Sequence, residues 1–241
     1  MPSPLVLKNL TLSAKQYHQQ LLSPAGERHY EYLNVERGLD HQTIVTFQLG
    51  AVLDASVSHE QALDMIAIPY LTPAGVVQIR FRRPPWTEKG PKYWQTSGSQ
   101  IRMFNTCALI NGDRLMYVCE GEFDTIAATQ AGLPAVGISG VNGWRDHFYS
   151  MLEGFDRIAF LADNDGNGDA EKPKPEDWPE GKEWDSRGAG LKFASKHADA
   201  LEGGVVVQLP EGYDVNGYLT EHGPEALRKY VGITPKGPSN D

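Results

Sequence analysis

Leu115-Met116-Tyr117-Val118-Cys119-Glu120-Gly121-Glu122-Phe123-Asp124 and, further on, Ile158-Ala159-Phe160-Leu161-Ala162-Asp163-Asn164-Asp165-Gly166 share one arrangement: a short apolar run ends in an acid, with glycine close behind. Apolar runs of this length, bounded by turn residues, predict buried strands. Around them the pattern alternates. Residues 135–138 and 205–209 are further apolar runs. A helix capped by Asp124 and ending at Gly132 is expected, then another over residues 144–153. A third carries Leu191, Ala194, Ala198 and Leu201 at helical spacing. Strands that alternate with helices predict an α/β unit whose parallel sheet is covered on both faces.

The acids fall where such a sheet does its chemistry. Glu120, Asp163 and Asp165 stand at predicted C-terminal strand ends, and Asp214 follows residues 205–209 and the Pro210-Glu211-Gly212 turn. Ligands of open parallel sheets bind outside the carboxyl ends of the strands, so these carboxylates would converge. Converging carboxylates repel unless a cation neutralises them. Mg²⁺ or Mn²⁺ suits oxygen donors and can bridge substrate phosphates. Gly121, Gly166 and Gly168 would let backbone come close to phosphate. Each piece alone is ordinary, since Glu-Gly ends many strands and Asp-x-Asp-Gly is often a turn. Their order on successive strands is what points to a metal site. A calcium loop starting at Asp163 is excluded, because its twelfth position, 174, is Lys.

Upstream, the pattern is different. Helices are expected over residues 14–22, from Ser23-Pro24 to about Arg37 with a stop at Gly38, and over 41–48. Residues 65–70 and 76–81 flank Thr72-Pro73-Ala74-Gly75 and predict a hairpin. Residues 79–102 hold six basic residues and one acidic, interleaved with Phe81, Trp86, Tyr93 and Trp94. Arginine binds phosphate bidentately and lysine adds a point charge. Trp86, Tyr93 and Trp94 could stack on unpaired bases, or anchor the loop that carries them. The expected organisation is a smaller α+β unit over 1–106 and the α/β unit over 107–233. The latter holds an inserted polar loop at 166–187, and a loose tail follows at 234–241.

Composition excludes several classes. The 241 residues carry a net charge of −9, which argues against a simple nucleic-acid coat. The charge is uneven: residues 1–106 hold ten basic and eight acidic side chains, and residues 107–241 twelve and twenty-three. Cys107 and Cys119 form no CxxC pair and the seven histidines no ligand pattern, so zinc is not expected. No apolar run is long enough for a bilayer, and the first ten residues lack a signal layout, so a cytoplasmic protein without a membrane partner is expected.

Val118–Asp124, Ala135-Val136-Gly137 and Phe160–Gly166 together resemble the TOPRIM domain of primases, topoisomerases and some nucleases. Upstream, Tyr32-Leu33, Arg37-Gly38-Leu39, Phe47-Gln48-Leu49-Gly50, Ile68-Pro69, Gly75-Val76-Val77, Arg80-Phe81-Arg82 and Lys92-Tyr93 look like the polymerase domain of DnaG-type primases, in the same order. The resemblance implies a TOPRIM parallel sheet flanked by helices behind a smaller α+β subdomain. It implies a DNA primase, a nucleotidyltransferase that joins ribonucleoside triphosphates into RNA primers on single-stranded DNA. Glu120, Asp163 and Asp165 would be catalytic and hold the metal ions together with Asp214. Asn216 stands where the family has a second acid after Asp214. Arg80, Arg82, Arg83, Lys92 and Tyr93 would contact template backbone and triphosphate along a basic groove. No counterpart of the zinc-binding domain or the helical subdomain of cellular relatives is expected within these 241 residues. That suggests a minimal, phage-encoded core working in the host cytoplasm with a separate replicative helicase or replication protein. A TOPRIM nuclease, or a non-catalytic module that binds single-stranded DNA or a helicase, are the alternatives.

Overall fold

The computed structural model describes residues 2–87, 90–110, 114–164 and 188–232. The chain divides into two compact units, Met1–Asn111 and Gly112–Asp241. The division falls a few residues beyond position 106, because the 3₁₀ turn Thr106–Ile110 stays with the first unit, where Cys107 Sγ lies 3.6 Å from Leu71 O.

In the first unit, helix α1 runs over Pro4–Leu21. It starts well before the polar stretch that predicted it, because Ser3 caps it by accepting from the Val6 N–H and Pro4 occupies a first-turn position. The short helix α2 (Glu27–Glu31) passes into a π-turn over Tyr32–Glu36 that ends before Gly38. Gly38 sits at φ +63, the left-handed stop expected from the sequence. Helix α3 (His41–Thr46) is capped by Asp40, whose Oδ1 accepts from Thr43 N at 2.7 Å. Four strands follow: β1 (Gly50–Ala51), β2 (Ile66–Thr72), β3 (Gly75–Arg82) and β4 (Tyr93–Trp94). They pair antiparallel in sequence order. The predicted hairpin is β2–β3, turning at Gly75 with φ +117. Its inner face packs Ile79 and Phe81 against Ala14 and Tyr17 of α1.

His59 is buried in that core, and its Nδ1 lies 2.9 Å from Tyr17 Oη. Burial lowers its pKa below 6.5, with Glu60 offsetting part of the effect. Burial and Lys196 lower that of His197 in the same direction. A histidine held neutral when folded takes up its proton more readily when unfolded. Its stabilising contribution is therefore present above 6.5 and is lost as pH falls from there toward the lowered folded value. Urea unfolding at fixed salt is expected to show a lower midpoint at about pH 5.5 than at about pH 7.5. Equal midpoints would show that neither ring is held neutral.

The second unit holds β5 (Leu115–Cys119), α4 (Glu122–Gln130), β6 (Ala135–Gly137), α5 (His147–Leu152), β7 (Arg157–Ala162), α6 (Ala189–Ala198), β8 (Gly204–Gln208), α7 (Val215–His222) and α8 (Pro224–Val231). The strands form one parallel sheet in the order β6-β5-β7-β8. Alternation along each strand sorts the faces. Tyr117, Cys119, Ala159 and Leu161 join Ala127, Ala128, Leu219 and Leu227 on one side. On the other, Phe160 meets Trp144 and Phe193, and Trp144 stacks on His197 at 4.1 Å. The α/β architecture read from the sequence is thus observed.

Two local expectations are corrected. Gly121, not Asp124, is the N-cap of α4, and Asp124 lies buried inside the first turn. The predicted helix over 144–153 is confined to α5, because Trp144 is extended and packs inward. Helix α7 was not foreseen. The expectations for residues 166–187 and 234–241 lie outside the described residues. Among the described residues, no helix is long and apolar enough to cross a membrane.

Candidate active site

Strand order decides where a site can form in the second unit. From β5 the chain moves to β6 on one side, and it returns to β7 on the other. The connections therefore part between β5 and β7, leaving a crevice at their carboxyl ends, the place where such sheets bind ligands. The two strands run parallel with Val118 beside Phe160. Glu120 directly follows β5, and Asp163 directly follows β7. Both sequence-predicted acids are thus carried to the same end of neighbouring strands.

Close packing around them confirms the juxtaposition. Glu120 Oε1 and Asp163 Oδ1 are buried atoms. Gly190, in the first turn of α6, touches both residues from above: a Cβ there would overlap Glu120 Oε1 and stand 3.3 Å from Asp163 O. Burial pushes the Cys119 thiol well above the ordinary range, and the negative charges of Asp124, Asp163 and Glu120 push it in the same direction.

The segment after β8 ties these ends together. Asn164 N donates to Tyr213 O at 2.9 Å, Gly212 N donates to Asn164 O at 2.7 Å, and the Asn164 amide donates to Leu209 O at 3.0 Å. Asp214 then caps α7, its Oδ1 accepting from Gly217 N at 2.5 Å. The structure thus gives Asp214 a helix-capping role through Oδ1. Asn216, buried behind it, donates its backbone N–H to Asp124 Oδ1 at 3.0 Å. Asp165 lies outside the described residues. Among those described, no group of three or more His, Cys, Asp or Glu side chains stands close enough to hold an ion. Glu120 and Asp163 remain as a pair of hard oxygen donors, a chemistry that suits a divalent cation of the Mg²⁺ type.

The first unit carries its own charged feature. Tyr32, Glu36, Arg37, Arg82, Arg83 and Lys92 line a cleft of about 280 Å³. Arg82 donates to Tyr93 Oη. Burial acts to lower the Arg82 pKa, but the phenols of Tyr93 and Tyr32 more than offset it, and the net direction is up. Arg80 lies over the Tyr93 ring at 4.7 Å, and Arg37 donates to Tyr32 Oη at 2.9 Å. Of the predicted basic residues, Arg82, Arg83 and Lys92 share this cleft, and Tyr93 braces Arg80 and Arg82. Trp86 and Trp94 anchor the segments that carry them: their indole N–H groups donate to Asp64 Oδ2 at 3.1 Å and to Gln61 Oε1 at 2.9 Å.

Arg37, Asp124 and Gly190 were not singled out as site residues. Arg37 was legible as the residue before a left-handed Gly38. Nothing local in the sequence marks Gly190.

Comparisons with known proteins agree with this architecture. No family model matches the chain. The RNA polymerase domain of Mycobacterium tuberculosis primase DnaG, solved in complex with double-stranded DNA, superposes with a TM-score of 0.69 at 22% identity, covering 97% of this chain and 82% of that one. A DnaG primase catalytic domain bound to single-stranded DNA superposes with a TM-score of 0.63 at 17% identity, covering 95% and 81%. The fold is that of the DnaG primase catalytic core. In sequence the chain is 33% identical over 171 residues to the Gene 57 protein of Mycobacterium phage D29, covering 69% of this chain and 97% of the phage protein. The chain belongs to the family of that phage protein.

Proposed function

We propose that the chain is a DNA primase that joins ribonucleoside triphosphates into short RNA primers on single-stranded DNA. The observation that carries this reading is the pairing of Glu120 and Asp163 at the β5/β7 crevice of a primase-core fold. Two carboxylates at the carboxyl ends of neighbouring parallel strands suit Mg²⁺ or Mn²⁺, held by Glu120 and Asp163 with Asp165 as the third ligand from the resemblance. When bound, such an ion supplies charge neutralisation for the primer hydroxyl and the triphosphate. The chain's own groups do the rest. Gly190 keeps the Glu120 carboxylate in its position, and the Asn164 hydrogen bonds hold the backbone beside Asp163. Arg82, Arg83 and Lys92 offer donors to phosphate oxygens of template or triphosphate. A separate helicase or replication protein would deliver the template.

The test is synthesis of labelled primers from ribonucleotides on mixed single-stranded templates, with and without divalent metal. Metal-dependent products are expected. Cleavage of the template without synthesis would turn the reading to a nuclease, and neither activity would turn it to a binding module.

A further inference from the structure

Tyr32 lines the basic cleft of the first unit and is itself buried, 4% exposed. Its phenol oxygen accepts from Arg37 Nε at 2.9 Å, and Arg82 hydrogen-bonds to the same phenol. One oxygen thus serves two guanidiniums from different elements. Arg37 closes the π-turn that follows α2, and Arg82 ends β3.

The ring that carries this oxygen is fixed from behind. Trp86 meets it edge-to-face at 5.7 Å and 89°. The Trp86 indole is in turn held by Asp64 Oδ2, which also accepts from Thr87 Oγ1 at 3.0 Å. His29 Nε2 lies 3.0 Å from Asp64 Oδ1. Asp64 stands at φ +63, a strained conformation for a residue with a side chain, and such strain persists where surrounding contacts hold it. A chain of contacts therefore runs from Asp64 through Trp86 to the Tyr32 ring.

The chemistry of a phenol gives this arrangement a purpose. A carboxylate would orient an arginine but also offset the charge that an anion is to meet. A phenol hydroxyl is uncharged, so it orients the planar fork and keeps the full positive charge. Among the described residues, the cleft is lined by four cations, Arg37, Arg82, Arg83 and Lys92, against one acid, Glu36. Its occupant should be an anion, and two-point recognition of phosphate depends on how each fork is turned.

We propose that Tyr32 is a positioning residue whose hydroxyl sets the Arg37 and Arg82 guanidiniums for two-point contact with phosphate oxygens. It acts through the arginines and touches no phosphate itself. The inference rests on the proposed binding of phosphate in this cleft, and it adds a residue that governs geometry rather than charge. The backbone of single-stranded DNA and a triphosphate both supply such oxygens.

The test uses the full chain and two probes. Labelled oligodeoxycytidine is followed by fluorescence anisotropy over a range of salt, and inorganic tripolyphosphate by titration calorimetry. Tyr32→Phe removes the hydroxyl and keeps the ring against Trp86. Affinity for the probe that meets the cleft should fall about fivefold, the order of one net hydrogen bond. For the strand, the slope of log affinity against log salt should stay as in wild type, because no charge is removed. Arg37→Gln, which does remove a charge, should flatten that slope. A loss on the strand assigns the cleft to backbone phosphate, and a loss on tripolyphosphate assigns it to a triphosphate. A purely structural hydroxyl would lower the melting temperature and leave both affinities of the folded variant at the wild-type level, which overturns the proposal. A loss that comes with a flattened slope overturns it too. Should Tyr32→Phe fail to fold by circular dichroism, Arg37→Lys decides. Lysine keeps the charge without the fork, so the same loss at unchanged slope is expected, and full affinity for both probes overturns the proposal. Absence of primer synthesis by wild type would overturn the catalytic reading and leave these phosphate affinities standing.

Discussion

Asp163→Ala is expected to reduce ribonucleotide polymerisation by at least about a hundredfold, since electrostatic groups at the reacting phosphates carry contributions of that order. It should leave the fold intact. The chain around Asp163 is held by backbone and by its neighbour: Asn164 pairs with Tyr213 and Leu209 whatever side chain stands at 163. Removing one of the two carboxylates at the crevice also lessens their mutual repulsion. The melting temperature should therefore stay level or rise while synthesis collapses. Single-stranded DNA binding should persist, because Arg82, Arg83 and Lys92 belong to the other unit. Primer synthesis, thermal unfolding and anisotropy on the same preparation check the three parts. Unchanged polymerisation would remove Asp163 from the site.

Gly190→Ala reverses the ordinary helix rule. In an exposed helix interior, alanine is more favourable than glycine by about 1 kcal/mol. Here the added methyl would overlap Glu120 Oε1 and crowd the backbone oxygen of Asp163. The carboxylate, at the end of a flexible side chain, can swing away at modest cost, but it then leaves its position. A loss of about tenfold or more in synthesis is expected, with a melting temperature close to that of wild type, because a small misplacement at a reacting centre is costly. Full activity would show that Glu120 need not stay where the crevice holds it.

Much of the second unit was legible because its signals are local. Buried parallel strands are short apolar runs, and the acids at the crevice follow them directly, so the positions of Glu120 and Asp163 could be read before any coordinates. The turn at Gly75 and the stop at Gly38 were equally plain, since each needs a positive φ that glycine adopts freely. Helix α7 was not read from the sequence, because Asp214 fits a helix cap and a strand-end acid equally well. One carboxylate can serve both: Oδ1 accepts from the Gly217 N–H, and a metal ligand needs a single oxygen. Trp86 and Trp94 were ambiguous for a similar reason. Their partners, Asp64 and Gln61, stand more than twenty residues away in the chain.

The sequence by itself determined the alternation of strands and helices, the acids at the strand ends and the basic character of the hairpin region, because burial and charge are written residue by residue. Tertiary structure decided which strands are neighbours, hence that Glu120 and Asp163 face one crevice. It also decided that Gly190 must lack a side chain and that the Tyr32 phenol reaches Arg82. These facts depend on contacts between residues far apart in the chain, and no local pattern encodes them.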